Sequence, residues 1–220
     1  MKQIGFDNDK YLKMQSEHIK ERISHFGDKL YLEFGGKLFD DYHASRVLPG
    51  FEPDSKMKML LQLKDQAEVV IAISAGAIAS NKMRGDWGIT YDQDVLRLID
   101  VFHGLGLYVG SVAITQYTGE PDADHFREKL KNLGISSYIL NRIEDYPGNV
   151  ELIVSEEGFG KNDYIKTTRP LVVITAPGPG SGKMATCLSQ LYHEKKRGVN
   201  VNVPSLLSRH SKFLKLSSLE

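Results

Sequence analysis

Apolar residues fall at two spacings along this chain, and the two alternate. Helical spacing comes first: Leu12, Ile19, Ile23 and Phe26 share one face of a segment spanning 7–26, and Gly27 stops it. Residues 29–34 read as a strand closed by Gly35-Gly36-Lys37, followed by a polar loop with Pro49, Gly50 and Pro53. Asp54 is placed to cap a helix carrying Met57, Leu60, Leu61 and Leu63. The run 68–74 is apolar without alternation, the pattern of a parallel strand covered on both faces. Residues 75–88 form a long connection rich in small residues. Thr90-Tyr-Asp-Gln93 has the spacing of a capping box, and Val95, Leu98, Ile99 and Phe102 carry a helix from it to His103-Gly104. Residues 107–115 predict another strand. Pro121 suits a first helical turn, with Phe126, Leu130 and Leu133 on one stripe and Gly134 as the stop. Short strands are predicted at 136–140 and 150–155 around a Pro147-Gly148 turn. Residues 156–168 are polar. A β-branched strand at 171–175 then feeds a helical pattern over 181–197.

Strand and helix thus alternate at least four times. This predicts an α/β fold in three layers around a largely parallel sheet. Open sheets of this kind bind ligands beyond the carboxyl ends of their strands. Four stretches fall there: Gly35-Gly36-Lys37, residues 74–76, Thr115-Gln116-Tyr117, and the loop 176–183.

The last of these carries the most chemistry. Leu171-Val-Val-Ile-Thr175 runs into Ala176-Pro-Gly-Pro-Gly-Ser-Gly-Lys183 and then into a helix. Glycines let a backbone approach an anion, a helix N-terminus presents free N–H groups, and a lysine adds positive charge. Gly178, Gly180, Ser181, Gly182 and Lys183 are therefore the candidate binding residues, with amides from Gly180 to Met184 on the phosphate and a further donor in the Ser181 hydroxyl. ATP or another phosphate-bearing small molecule is the expected ligand. The match to the phosphate-loop pattern is incomplete. Pro177 occupies the first glycine position, and Met184 stands where a Mg²⁺-binding hydroxyl belongs. Thr186 lies about 200° around the helix from that position and is no simple substitute. Of the acidic residues that could serve a metal, Glu33 and Asp86 read as solvated surface, and no catalytic or metal-ligating set emerges. The alternative is a non-catalytic scaffold or assembly domain whose glycines serve only a tight strand-to-helix turn. A third reading places transfer chemistry on Ser80, Lys82, Arg84 and Asp86 of the 75–88 connection.

Charge sharpens the partner classes. Lys and Arg number 28, as do Asp and Glu, so no net field draws in nucleic acid or an anionic membrane, and no basic stripe is interleaved with aromatics. No apolar stretch approaches the roughly 20 residues that span a bilayer. The N-terminus lacks the apolar core of a signal peptide. A lone cysteine, Cys187, fits a buried small residue in a reducing, cytoplasmic setting. The partners left open are a small phosphorylated ligand and a second copy of the chain.

Four segments resemble a known family: Gly5-Phe-Asp-Asn-Asp-Lys-Tyr11, Lys29-Leu-Tyr-Leu-Glu-Phe-Gly-Gly-Lys-Leu38, Gly158-Phe-Gly-Lys-Asn-Asp-Tyr164, and Thr168-Arg-Pro through Lys183. Together they are similar to the bacterial domain of unknown function eighteen-forty-six, also called uncharacterised protein family three-seven-one. The resemblance covers residues 1–198 and implies the N-terminal α/β region of a longer cytoplasmic protein. It implies no activity. Some members carry the label "ATP-dependent peptidase". A zinc peptidase helix needs His-Glu-x-x-His, and here His193-Glu194 is followed by Lys195, Lys196 and Arg197. Family members continue into further elements, so a chain ending at Glu220 is expected to be truncated. Residues 199–220 are then a non-family tail, disordered or forming a short helix through Leu206, Leu207, Phe213 and Leu214.

Overall fold

The computed structural model describes residues 5–25, 29–33, 38, 46–199 and 201–202. Gly35-Gly36-Lys37 and residues 203–220 lie outside the described residues.

The apolar strand at the centre of the sequence becomes the centre of the fold. Strand β2, Ala67–Ser74, is buried at all eight positions. It lies between β3, Tyr108–Tyr117, and β5, Leu171–Thr175. Outward from β3 is β4, Ser137–Asn141; outward from β5 is β1, Lys29–Glu33, then the two-residue β6, Val201–Asn202. The sheet order is β4-β3-β2-β5-β1-β6, and every pairing is parallel. Val201 and Asn202, inside the segment read as a tail, pair with Lys29 and Leu30.

Both faces of the sheet are covered. Successive strand residues point to opposite sides, so Val69, Ile71 and Ile73 enter one core while Val70 and Ala72 enter the other. The first core is closed by α1 (Asn8–His25), α2 (Ser55–Leu61), α3 (Ala75–Ala79), α4 (Tyr91–Gly104) and α5 (Pro121–Asn132). The second is closed by α6 (Val150–Ile153), a single 3₁₀ turn at Phe159–Lys161, and α7 (Lys183–Lys196). This is the three-layer α/β arrangement that the alternation implied.

Several local readings need correction. Residues 150–155 are not a strand: Val150–Ile153 is one helical turn, because the Asn149 side chain accepts the Leu152 amide at 3.0 Å and caps it. A four-residue segment, Val150-Glu-Leu-Ile153, is too short for a periodicity that separates the two states. Thr90 and Asp54 occupy N-cap positions, yet neither side chain makes the capping bond. Asp54 instead pairs with Lys58 at 3.2 Å. Leu133 sits past the end of α5 and is 58% exposed, off the stripe of Phe126 and Leu130. The 75–88 connection begins with α3, whose amide at Ala77 is accepted by the Ser74 hydroxyl.

Candidate functional site

Strands β2 and β5 are neighbours, but their chains leave in opposite directions. The helices after β2 pack on the first core; α7, after β5, packs on the second. That divergence opens a crevice at the carboxyl edge of the sheet. A cleft of about 1030 Å³ occupies this edge. Its walls come from the ends of four strands: Glu33 from β1, Thr115, Gln116 and Thr118 at the end of β3, Asn141 to Tyr146 at and after the end of β4, and Gly180 to Ala185 after β5.

The glycine loop forms the floor where β5 turns into α7. Gly180 and Gly182 both have φ of +77°, a region that L side chains rarely adopt. Gly182 is also pressed against β3: a Cβ there would lie 2.6 Å from Thr115 Oγ1. The Thr115 hydroxyl donates to the Ser181 carbonyl at 2.9 Å, and the Gln116 side chain donates to the Gly180 carbonyl at 3.1 Å. Gln116 holds its own backbone at φ +54°, a conformation that persists only where the surroundings enforce it. Carbonyls of the loop are thus tied back to β3. Its amides are not: from Gly180 to Ala185 none donates to an acceptor among the described residues. Residues that line the cleft thus carry amides with no acceptor of their own, the donors an anion site needs.

The five residues singled out in the sequence divide by role. Gly180, Gly182 and Lys183 line the cleft. Ser181 lines it too, but its hydroxyl is buried and donates to the Gly178 carbonyl at 2.9 Å, so only its amide is free for a ligand. The expected hydroxyl contact is therefore corrected: the side chain closes the turn. Gly178 lies behind the loop, its missing Cβ leaving room for the Tyr91 hydroxyl. Thr186 donates its hydroxyl to the Gly182 carbonyl at 3.0 Å, is fully buried and does not line the cleft.

Glu33 is the residue that sequence reasoning misplaced. It is not solvated surface: its side chain is 19% exposed, and Oε1 stands 3.8 Å from Lys183 Nζ, itself 12% exposed. Burial raises the Glu33 pKa above the usual carboxylate range, and Lys183 pulls it partly back. The only local signal was its place at a strand's carboxyl end. Asp86 does not line the cleft; it pairs with Arg84 at 2.7 Å. Arg84 in turn bonds the fully buried Asp94, which also holds Arg97, and so stitches the 75–88 connection to α4.

His193 and Glu194 sit at the opposite, amino-terminal edge of the sheet. Glu194 is fully buried and accepts from Tyr31 at 2.7 Å, Lys29 at 2.9 Å and Tyr164 at 3.1 Å. It anchors α7 to β1. Among the described residues no three His, Cys, Asp or Glu side chains converge as a metal site.

The fold and cleft define a parallel α/β protein with a glycine-loop crevice at its switch point. The chain belongs to the family described as domain of unknown function DUF1846, N-terminal, whose model matches residues 4–206. It is 61% identical over 199 residues to a UPF0371 protein of Streptococcus sanguinis (strain SK36), covering 90% of this chain and 40% of that protein. UPF0371 proteins of Streptococcus pyogenes serotypes M28 and M5 match at 61% and 60%, with the same coverage. The chain thus spans about 40% of the length of these curated relatives. No described helix is long and apolar enough to cross a membrane.

Proposed function

We propose that this chain binds a phosphate-bearing small molecule, with ATP as the first candidate, in the carboxyl-edge cleft. The observation that carries the reading is the run of unpaired amides on the cleft-lining residues Gly180 to Ala185, together with the Lys183 side chain of the same lining. Each amide directed at an anion makes a charge-assisted bond, roughly twice as strong as a neutral one. Gly178, Gly180, Ser181 and Gly182 give the loop its shape, and Lys183 neutralises the ligand. Met184 has no metal-binding oxygen and Thr186 is fully buried outside the cleft lining, so the reading is of binding, with no phosphoryl transfer assigned. The lone, buried Cys187 accords with a reducing, cytoplasmic setting.

Calorimetric titration with ATP and with inorganic phosphate tests this. Saturable binding that Lys183→Ala weakens at least tenfold supports it; absence of binding to both ligands overturns it.

One observation favours a second reading. Gly178 and Gly182 are both required by packing, against Tyr91 and Thr115, as a scaffold or assembly domain with a tight strand-to-helix turn would need. That reading expects no ligand response and a concentration-dependent association in sedimentation velocity.

A further inference from the structure

A carboxylate beside an anion site is a liability. Glu33 stands within reach of the same lysine that faces the glycine loop, 3.8 Å from its ammonium. That is too long for a hydrogen bond. Lys183 is the group that pulls the raised Glu33 pKa partly back, and both side chains are more than four-fifths buried. Two largely buried charges held at that distance, both lining one cleft, keep hydrogen-bonding capacity for a ligand. A bare phosphate would satisfy the lysine and worsen the carboxylate's position by like-charge repulsion. A ligand that relieves both must carry donors a short way from its anion.

Two donor types are available, a cation or hydroxyl groups. The cation is disfavoured, because Lys183 already sits against Glu33, the cleft's other carboxylates, Glu144 and Asp145, do not converge with it as a metal-holding group among the described residues, and Thr186 is fully buried outside the cleft lining. Tyr146 adds a further clue. It lines the same cleft, is 37% exposed, and feels the Glu33 charge in its raised pKa, after burial as the main cause. An open aromatic face beside a carboxylate suits a ring that is apolar on its faces and hydroxylated at its rim.

We infer that the cleft selects a phosphate ester of a polyol, a sugar phosphate or the ribose phosphate of a nucleotide, with phosphate on the Gly180 to Ala185 amides and sugar hydroxyls donating to Glu33. This rests on the anion reading of the same cleft and names its substrate class. Glu33 is the specificity-determining residue, and Lys183 serves the anion.

The test is calorimetry on the 220-residue chain, in EDTA, with four probes: inorganic phosphate, ethyl phosphate, ribose 5-phosphate and AMP. The inference expects ribose 5-phosphate to bind roughly tenfold tighter than ethyl phosphate, the worth of one or two bonds to a charged acceptor. Glu33→Gln should erase that ratio while leaving ethyl phosphate bound as well or better. AMP tighter than ribose 5-phosphate points to a nucleotide; equal affinity points to a sugar phosphate, and either supports the inference. Ethyl phosphate binding as tightly as ribose 5-phosphate to the unaltered chain overturns it while leaving the anion site intact, and this comparison needs no variant. A ratio that survives in Glu33→Gln also overturns it. Failure of all four probes removes the anion site itself.

Discussion

Alanine placed at Gly182 separates two physical causes, and Gly180 provides the control. Both glycines have φ of +77°. An alanine at either must accept a left-handed conformation, which costs roughly 1–2 kcal/mol. At Gly180 nothing lies within 4 Å of the new Cβ, so that backbone term is the whole effect. At Gly182 the Cβ meets Thr115 Oγ1 at 2.6 Å, its Cβ at 2.9 Å and its Cγ2 at 3.1 Å. Thr115 cannot yield easily, since its hydroxyl is bonded to the Ser181 carbonyl and the residue is buried in β3. Overpacking of this kind costs about 1–3 kcal/mol more. Urea unfolding of both variants, read as midpoint shifts at constant slope, should place Gly180→Ala about 1–2 kcal/mol below the parent and Gly182→Ala about 2–5 kcal/mol below it. Thr115→Ala in the Gly182→Ala background should recover part of the difference, because it removes Oγ1 and Cγ2 but leaves Cβ. Equal losses in the two glycine variants, or no recovery with Thr115→Ala, would refute the claim that the loop is pressed onto β3.

Further tests address other parts of the molecule. Glu194→Ala leaves the largely buried Lys29 ammonium with Thr167 as its partner and no counter-charge, and takes the carboxylate acceptor from the Tyr31 hydroxyl, and should cost about 3–5 kcal/mol in denaturant unfolding; a loss below 1 kcal/mol would contradict the anchoring role. Cys187 is fully buried, and burial is the main cause of its strongly raised pKa, so a thiol reagent should modify it only in denaturant, and fast modification of the native chain would contradict the packing. Because burial raises the folded-state pKa of Glu33, with Lys183, Tyr146 and Cys187 nearby, its contribution favours folding below the unfolded carboxylate pKa and is lost as pH rises through the folded value. Stability of Glu33→Gln relative to the parent should therefore rise across that window; a flat difference would show that the carboxyl is not desolvated.

The fold was largely readable because its signals were local and redundant. The unbroken apolar run at β2, the β-branched run at β5, and Pro121 at the head of α5 each state their element without help from neighbours. The errors fall where tertiary context decides. Val150–Ile153 is too short for a period, and a single Asn149 cap turns it into a helix. Leu133 looked like the last rung of a stripe, but α5 ends before it. Within the site, the loop residues were visible as a motif, whereas Glu33 was not. Its environment is made by Lys183, 150 residues further along and four strands later in the chain, and no pattern within β1 encodes it. The Ser181 hydroxyl misled for a related reason: composition reveals a donor but not that it is already used at the Gly178 carbonyl.

The central claim is that amide hydrogens at the head of α7 converge on a space that receives negative charge. Two-dimensional ¹H–¹⁵N spectra of the chain, titrated with phosphate and then with ATP, address those hydrogens one by one. Saturable shifts concentrated on the amides of Gly180 through Ala185, and weakened in Lys183→Ala, are the predicted result. Amides that stay still in that segment while others move, or spectra unchanged at millimolar ligand, would contradict it.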